Sequence, residues 1–278
     1  MFPFIAALTQ VGGILVDKIT LTRRQVSVHV FVPILFLFIF LLTAVLFPFL
    51  GKISIEFFSS YYLLIFLAML IAGVVWNFFY YQGVQAEKVY EFQLIMMLQP
   101  LLTILLATIF LKGERNLQIE IIAIVAAIFL IVSHINQAHL EITLGGYKLL
   151  LAVIFMSVEL ILIKILLAVL SPVALYCIRT GILFVFFVLF YRPQIKKVAK
   201  ENTVLILISA TLGTVQMISK FYGFEQFGVV YTSLVLILSP ILVYILSIIF
   251  LHEKLKLKTV LSGIVILGCI IYATLIGK

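Results

Sequence analysis

Ten stretches of about twenty mostly apolar residues follow one another along this chain, with short connections between them. Each is about as long as a helix must be to cross the hydrocarbon core of a bilayer, which takes ~20 residues. The stretches are residues 2–17, 29–50, 60–81, 89–111, 117–135, 147–169, 172–191, 203–223, 229–251 and 257–276. Runs such as Val32–Leu46 and Ile182–Phe190 lack the polar–apolar alternation of membrane barrel strands. The sequence therefore predicts an all-α integral membrane protein with ten transmembrane helices.

The composition excludes a soluble domain. Apolar residues make up 65% of the 278 residues and charged residues 11%, whereas soluble domains have ~45–50% and ~25%. Cys177 and Cys269 both lie in apolar runs, and we interpret them as small buried hydrophobic residues rather than disulfide partners or metal ligands. The net charge of +8 comes mostly from Lys and Arg in short loops. This pattern predicts contact with the headgroups of a lipid bilayer rather than with nucleic acid.

The first stretch is predicted to be a retained helix rather than a secretory signal. Met1–Phe4 carries no basic side chain, and Val16–Ile19 offers no cleavage site of small residues. With this segment counted, we expect a multi-pass protein of the plasma (inner) membrane of a prokaryote.

Sequence signatures of enzymes are missing from the chain. The run Leu251–Lys254 falls short of HExxH because no second histidine stands at position 256, and GxSxG, Walker A and GxGxxG motifs do not occur. The sequence therefore predicts a protein that is not an enzyme and uses no cofactor and no metal. Any transport is predicted to be driven by gradients or by exchange.

The two halves of the chain show an internal repeat. A shift of 140 residues without gaps superposes glycine, proline and helix-end positions, and a shift of 146 superposes Lys18 on Lys164. The superposed pairs are Gly73 and Gly213, Val75 and Val215, Gly83 and Gly223, Pro100 and Pro240, Phe110–Leu111 and Phe250–Leu251, and Ile124–Val125 and Ile264–Val265. We predict a first five-helix repeat at 1–135, a central loop at 136–146 and a second repeat at 147–278. Because five helices per repeat is an odd number, the second copy enters the membrane from the opposite side, as in many secondary transporters.

The fourth segment of each half carries a shared motif. Gln99–Glu114 reads QPLLTILLATIFLKGE and Ser239–Lys254 reads SPILVYILSIIFLHEK, each with an early proline and an apolar stretch that ends in Phe-Leu and an acidic residue. This pattern resembles the EamA repeat of the drug/metabolite transporter superfamily, and YYQGVQAEKVYEFQ (Tyr80–Gln93) is similar to that family's hairpin between helices three and four. The resemblance implies a ten-helix basket that moves small metabolites, amino acids or amphipathic compounds by alternating access.

Polar residues inside predicted spans are the candidates for a substrate cavity. Trp76, Asn77 and Tyr80 share one helical face of segment three, and Gln216 and Lys220 share one face of segment eight. The shift of 140 residues superposes these two faces, so we predict that both line a central cavity, with aromatic contacts from segment three and an anion-binding amine from Lys220. The alternative is helix packing and hydrogen bonding between helices. We expect the cavity to be lined mainly by segments three, four, six, eight and nine, and we add Gln93 of segment four as a candidate.

Two charged residues are predicted near the middle of adjacent spans. Glu159 lies in segment six and Arg179 in segment seven, and an unpaired charge there would cost at least ~2.5–3.5 kcal/mol. Glu159 is predicted either to form a structural ion pair with Arg179 or to act as a protonatable coupling site in the cavity. Pro100 and Pro240 each remove a backbone hydrogen bond within a span, so both are candidates for gating hinges or for static kinks.

The alternative from a different functional class is a non-transporting membrane protein that binds lipid headgroups or assists assembly. Polar residues at equivalent positions of the two halves favour the transporter with a small-molecule substrate. Orientation stays open at this point. Lys and Arg concentrate in the loops after the odd-numbered segments, which predicts both termini outside, whereas the family resemblance implies both termini inside.

Overall fold

The structure is a computed structural model that describes residues 1–87, 92, 95–111, 113, 117–134, 143–193, 199–239, 242, 261, 264, 265, 267–269, 271, 272 and 275. Over these residues the chain is helical, without a named strand, which confirms the predicted all-α class. The α-helices are α1 (Phe2–Lys18), α2 (Val28–Leu50), α3 (Ser60–Ala86), α4 (Leu98–Phe110), α5 (Leu117–His134), α6 (Leu144–Leu166), α7 (Pro172–Tyr191), α8 (Lys200–Phe227) and α9 (Val229–Leu236). A π-helix, Ile19–Arg23, continues α1, and a short 3-10 helix, Ile55–Phe58, precedes α3.

Six helical segments in the described part of the chain are long and apolar enough to cross a membrane. They are Phe2–Arg23, Val28–Leu50, Ser60–Ala86, Leu144–Leu166, Pro172–Tyr191 and Lys200–Phe227. Leu98–Phe110 and Leu117–Ala126 are shorter apolar helices. The count of ten spans and the inverted repeat stay predictions.

Some helix boundaries differ from those predicted. α4 begins at Leu98 rather than at residue 89, and Met97 is a turn between helical residues on either side. A proline at position 100 cannot donate to the carbonyl four residues earlier and clashes with it, which explains the interruption. α6 begins at Leu144, inside the predicted central loop, because the Thr143 side chain caps it by accepting a hydrogen bond from the backbone N–H of Gly146 at 3.1 Å.

The most extensive contacts between the first and second halves of the chain, over the described residues, are those of α1 with α8, α2 with α7, and α3 with α6. α1 and α8 run antiparallel, since Phe2 stacks on Tyr222 with ring centroids 5.0 Å apart and Asp17 accepts a hydrogen bond from the Ser209 hydroxyl at the other end of α1. α3 and α6 approach closely, because a Cβ at Gly83 would lie 2.5 Å from the side chain of α6 that faces it. The centre of the bundle is therefore walled by helices of both halves.

Candidate functional site

A cavity of about 140 Å³ lies at the centre of the bundle. Side chains of α1 to α4 and of α6 to α9 line it, so α1, α2 and α7 contribute to a wall that we expected mainly from segments three, four, six, eight and nine. At ~30 Å³ of liquid volume per water molecule, the cavity has room for a small solute or about five waters. Its wall is apolar over most of its area and also contains several polar and charged side chains, and such groups inside an apolar bundle are candidates for a functional site.

A buried ion pair lies on one wall of the cavity. The Arg179 guanidinium donates to both carboxylate oxygens of Glu159, from Nε to Oε1 at 2.7 Å and from Nη2 to Oε2 at 3.1 Å. The side chain of Arg179 is 2% exposed and that of Glu159 is fully buried. The Trp76 indole N–H donates a third hydrogen bond, to Glu159 Oε2 at 2.6 Å, and Arg179 lies 5.9 Å from the centroid of the Trp76 ring system. Three charge-assisted donor bonds of this kind offset the desolvation of the carboxylate.

The α3 face predicted from the sequence reaches the cavity, where Trp76, Asn77 and Tyr80 all form part of the lining. The Trp76 and Tyr80 rings meet edge to face at 5.7 Å, so the indole packs on Tyr80 while its N–H is committed to Glu159. Asn77 Nδ2 donates to the carbonyl of Gly73 at 2.7 Å, and its buried Oδ1 accepts no hydrogen bond from a described residue. Asn77 therefore carries an unused acceptor beside the cavity.

The α8 face also lines the cavity, with Gly213, Gln216 and Lys220 on successive turns. Lys220 is 4% exposed, and its ammonium lies 6.0 Å from the centroid of the Phe224 ring. A Cβ built at Gly213 would meet no heavy atom of the described residues within 4 Å.

The sequence analysis missed the contribution of α1. Gln10, Gly13, Ile14 and Asp17 line the cavity, and Asp17 is 8% exposed and accepts a hydrogen bond from the Ser209 hydroxyl. These four positions are spaced i, i+3, i+4 and i+7, the same one-face signal that located the α3 candidates. The acidic residue Asp17 on one face of an apolar helix is the sequence feature that would have predicted the contribution of α1 to the cavity.

α4 brings Gln99 and Pro100 to the cavity. Gln99 Nε2 donates to the Thr103 hydroxyl at 2.8 Å within the same helix. Pro100 occupies the first turn of α4, where a backbone N–H would have no intrahelical partner. The candidates Gln93 and Pro240 lie outside the described residues, so the roles predicted for them, and the hinge role of Pro100, stay predictions.

Two lysines bind the ends of helices at corresponding places in the two halves. Lys18 Nζ donates to the carbonyl of Val84 at 2.5 Å and to the carbonyl of Glu87, at the end of α3. Lys164 Nζ donates to the carbonyl of Phe224 at 2.5 Å, near the end of α8. The last carbonyls of a helix have no partner within it, so each lysine satisfies groups that would otherwise be unpaired. Val84 and Phe224 are 140 residues apart, the shift that superposes the two halves.

A search of the described residues found no group of three or more His, Cys, Asp or Glu side chains that could hold a metal ion. Cys177 is buried and Cys269 is partly buried, and both are free thiols.

The described residues thus form an apolar helical bundle around a small cavity that several polar and charged side chains line. Residues 143–275 match the model of the EamA-like transporter family. The second half of the chain is therefore similar to the EamA domain of the drug/metabolite transporter superfamily, the family that the sequence motifs resemble. Together with the six apolar helices, this match supports an integral, multi-pass membrane protein.

A solved crystal structure has the same fold. It superposes with a TM-score of 0.71 over 98% of this chain and 98% of its own, at 16% sequence identity. At that identity the likeness shows a shared fold over the whole length of the chain and nothing about the substrate. The search of the curated proteins found no match.

Proposed function

We propose that the chain is a secondary transporter that binds a small solute in the central cavity and moves it across the membrane by alternating access. The observation that carries the proposal is the cavity itself, which lies between the two halves and contains buried charged side chains in an otherwise apolar bundle. Burying charged side chains inside a membrane-spanning bundle costs free energy, and binding of a solute is a function that would account for their presence. Gradients or exchange of solutes would drive the movement.

Alternating access by rocking of two repeats requires similar halves of opposite orientation. The matched contacts of Lys18 and Lys164 support this arrangement, because each joins the first helix of its half to the end of the third helix. The pairing of α1 with α8 and of α3 with α6 has the same symmetry, since the shift that superposes the halves exchanges the two pairs. We therefore propose two inverted five-helix repeats, at 1–135 and 147–278.

The geometry favours a structural role for Glu159 over a coupling role. Both of its carboxylate oxygens accept hydrogen bonds from Arg179, and Oε2 also accepts one from the Trp76 indole N–H. A coupling carboxylate must release such donors to take up a proton. We propose that the ion pair fixes α6 against α7 and orients Trp76 at the cavity wall.

The test uses Trp76, which is the single tryptophan of the chain, as a fluorescent reporter of the cavity. Purified protein in detergent is titrated with amino acids, nucleosides, sugars, organic cations and organic anions, and each solute that changes the emission is then tested for uptake into proteoliposomes. Saturable uptake and counterflow of a solute that binds at Trp76 are expected.

The matched variants are Gln216→Ala, on the cavity face of α8, and Thr211→Ala, on its exposed face. The first should weaken both binding and uptake, and the second should leave both unchanged. Solutes that bind without any uptake would contradict transport. Emission changes produced by lipid headgroups alone would favour the headgroup-binding alternative.

A further inference from the structure

We infer that the cavity is selective for organic anions, and that Lys220 is the side chain that binds the anionic group. This inference rests on the proposed function, since it names the chemical class of solute that the same cavity takes. Lys220 is 4% exposed, lines the cavity, and has no hydrogen bond or ion pair with any residue in the described part of the chain. Its contact with the Phe224 ring, at 6.0 Å, stabilises an ammonium less than a carboxylate partner would.

No acidic side chain in the described part of the cavity forms a direct ion pair with Lys220, although Glu159 attracts its ammonium through space. Glu159 is held by Arg179, and this pair is neutral as a unit. Asp17 is bonded to Ser209, and Ser209 and Lys220 are separated by eleven residues of α8, which corresponds to about 16 Å along the helix axis. A buried ammonium without a directly bonded counterion is unfavourable, and an anionic solute would supply the partner that the described residues do not.

The other side chains that line the cavity indicate what the rest of the solute is like. Gln216 lies one turn away on the same face and can donate to an oxyanion, while Met217 and Leu236 present apolar surface. Trp76 and Tyr176 also line the cavity and add aromatic surface. This arrangement fits a carboxylate or phosphate group on a small apolar body better than it fits a sugar or an inorganic ion.

The experiment measures Trp76 emission with two sets of compounds matched in shape and different in charge. The first set is hexanoate, hexyl phosphate, hexanamide and hexylammonium, and the second is benzoate, phenyl phosphate, benzamide and benzylammonium. The expected result is saturable binding by the anions of at least one set, at least tenfold tighter than by the amide and ammonium compounds of that set. Carboxylate and phosphate members distinguish the two kinds of anionic group.

The variants separate the charge of Lys220 from its bulk. Lys220→Met should weaken anion binding 10- to 100-fold, which is the size of effect expected for one charge-assisted hydrogen bond. Lys220→Arg should retain most of it, and Lys200→Met, at the exposed start of the same helix, should change nothing. Should Lys220→Met fail to fold, the comparison of charges on the unaltered protein decides the question.

Equal binding of the amide or ammonium compounds, anion binding unchanged in Lys220→Met, or binding by no compound of either set would each overturn the inference. The outcomes also separate it from the proposed function. Anion binding that depends on Lys220 without uptake supports the anion site and contradicts transport. Uptake of a neutral or cationic solute that depends on Gln216, without anion binding, supports transport and overturns the anion site.

Discussion

Arg179→Met is expected to destabilise the bundle more than a typical single substitution would. It removes the hydrogen bonds of 2.7 and 3.1 Å to Glu159 and leaves a fully buried carboxylate with the Trp76 indole N–H at 2.6 Å as its one described donor. Breaking a buried ion pair from one side costs ~3–5 kcal/mol, because the remaining charge is uncompensated. Glu159→Met leaves the guanidinium unpaired and should cost a similar amount.

The double variant Glu159→Met/Arg179→Met removes both charges and should cost only about 0–2 kcal/mol, since apolar replacement of a buried pair is often close to neutral. The difference between the sum of the single costs and the double cost is the coupling energy of the pair. We therefore expect a coupling energy of at least ~4 kcal/mol. Its sign means that each charged residue destabilises the protein when the other has been removed.

The assay is unfolding in mixed micelles of increasing dodecyl sulfate content, followed by far-ultraviolet circular dichroism so that Trp76 does not bias the signal. Thr211→Ala, on the exposed face of α8, is the control and should change the free energy of unfolding by less than ~0.5 kcal/mol. Single costs that simply add in the double variant would refute the reasoning, because they would mean that the two charges do not stabilise each other.

Three further predictions concern the same framework. Gly73→Ala should destabilise the protein by ~1–3 kcal/mol, since its Cβ would lie 2.6 Å from Glu159 Oε1. Gly213→Ala places its Cβ more than 4 Å from every heavy atom of the described residues beyond its own stretch of helix and should be neutral or stabilising. Equal unfolding midpoints of the two variants would contradict this. Glu159→Gln should leave any dependence of uptake on a proton gradient intact, and loss of that dependence in a folded variant would show a coupling role instead. Lys18→Met and Lys164→Met should lower the melting temperature by similar amounts, since each removes a donor to helix-end carbonyls, and a change confined to one of them would argue against matched halves.

Much of the site followed from local periodicity. The positions of Trp76, Asn77 and Tyr80 on one face, and of Gln216 and Lys220 on another, follow from 3.6 residues per turn, and the structure brings both faces to one cavity. The same rule applied to α1 would have added Asp17. The apolar pattern of that short segment is interrupted by Gln10, Gly12 and Gly13, which makes its helical face harder to recognise.

The hydrogen-bond partner of each polar side chain could not be predicted from helical periodicity. The sequence suggested aromatic contact with substrate for Trp76, and the structure gives its indole N–H to Glu159. A hydrogen bond between residues 83 positions apart depends on how α3 and α6 pack, and no local pattern encodes that distance.

The sequence by itself determined that the chain is helical and lies in a membrane, and that its second half resembles the EamA family. These properties depend on composition, on runs of about twenty apolar residues and on residue spacing, which are local and need no neighbour in space. The tertiary structure alone decided that Glu159 is held by Arg179 and Trp76, while Lys220 has no described counterion. Pairing of charges depends on which helix faces meet, and helix packing sets those distances only when the whole bundle assembles.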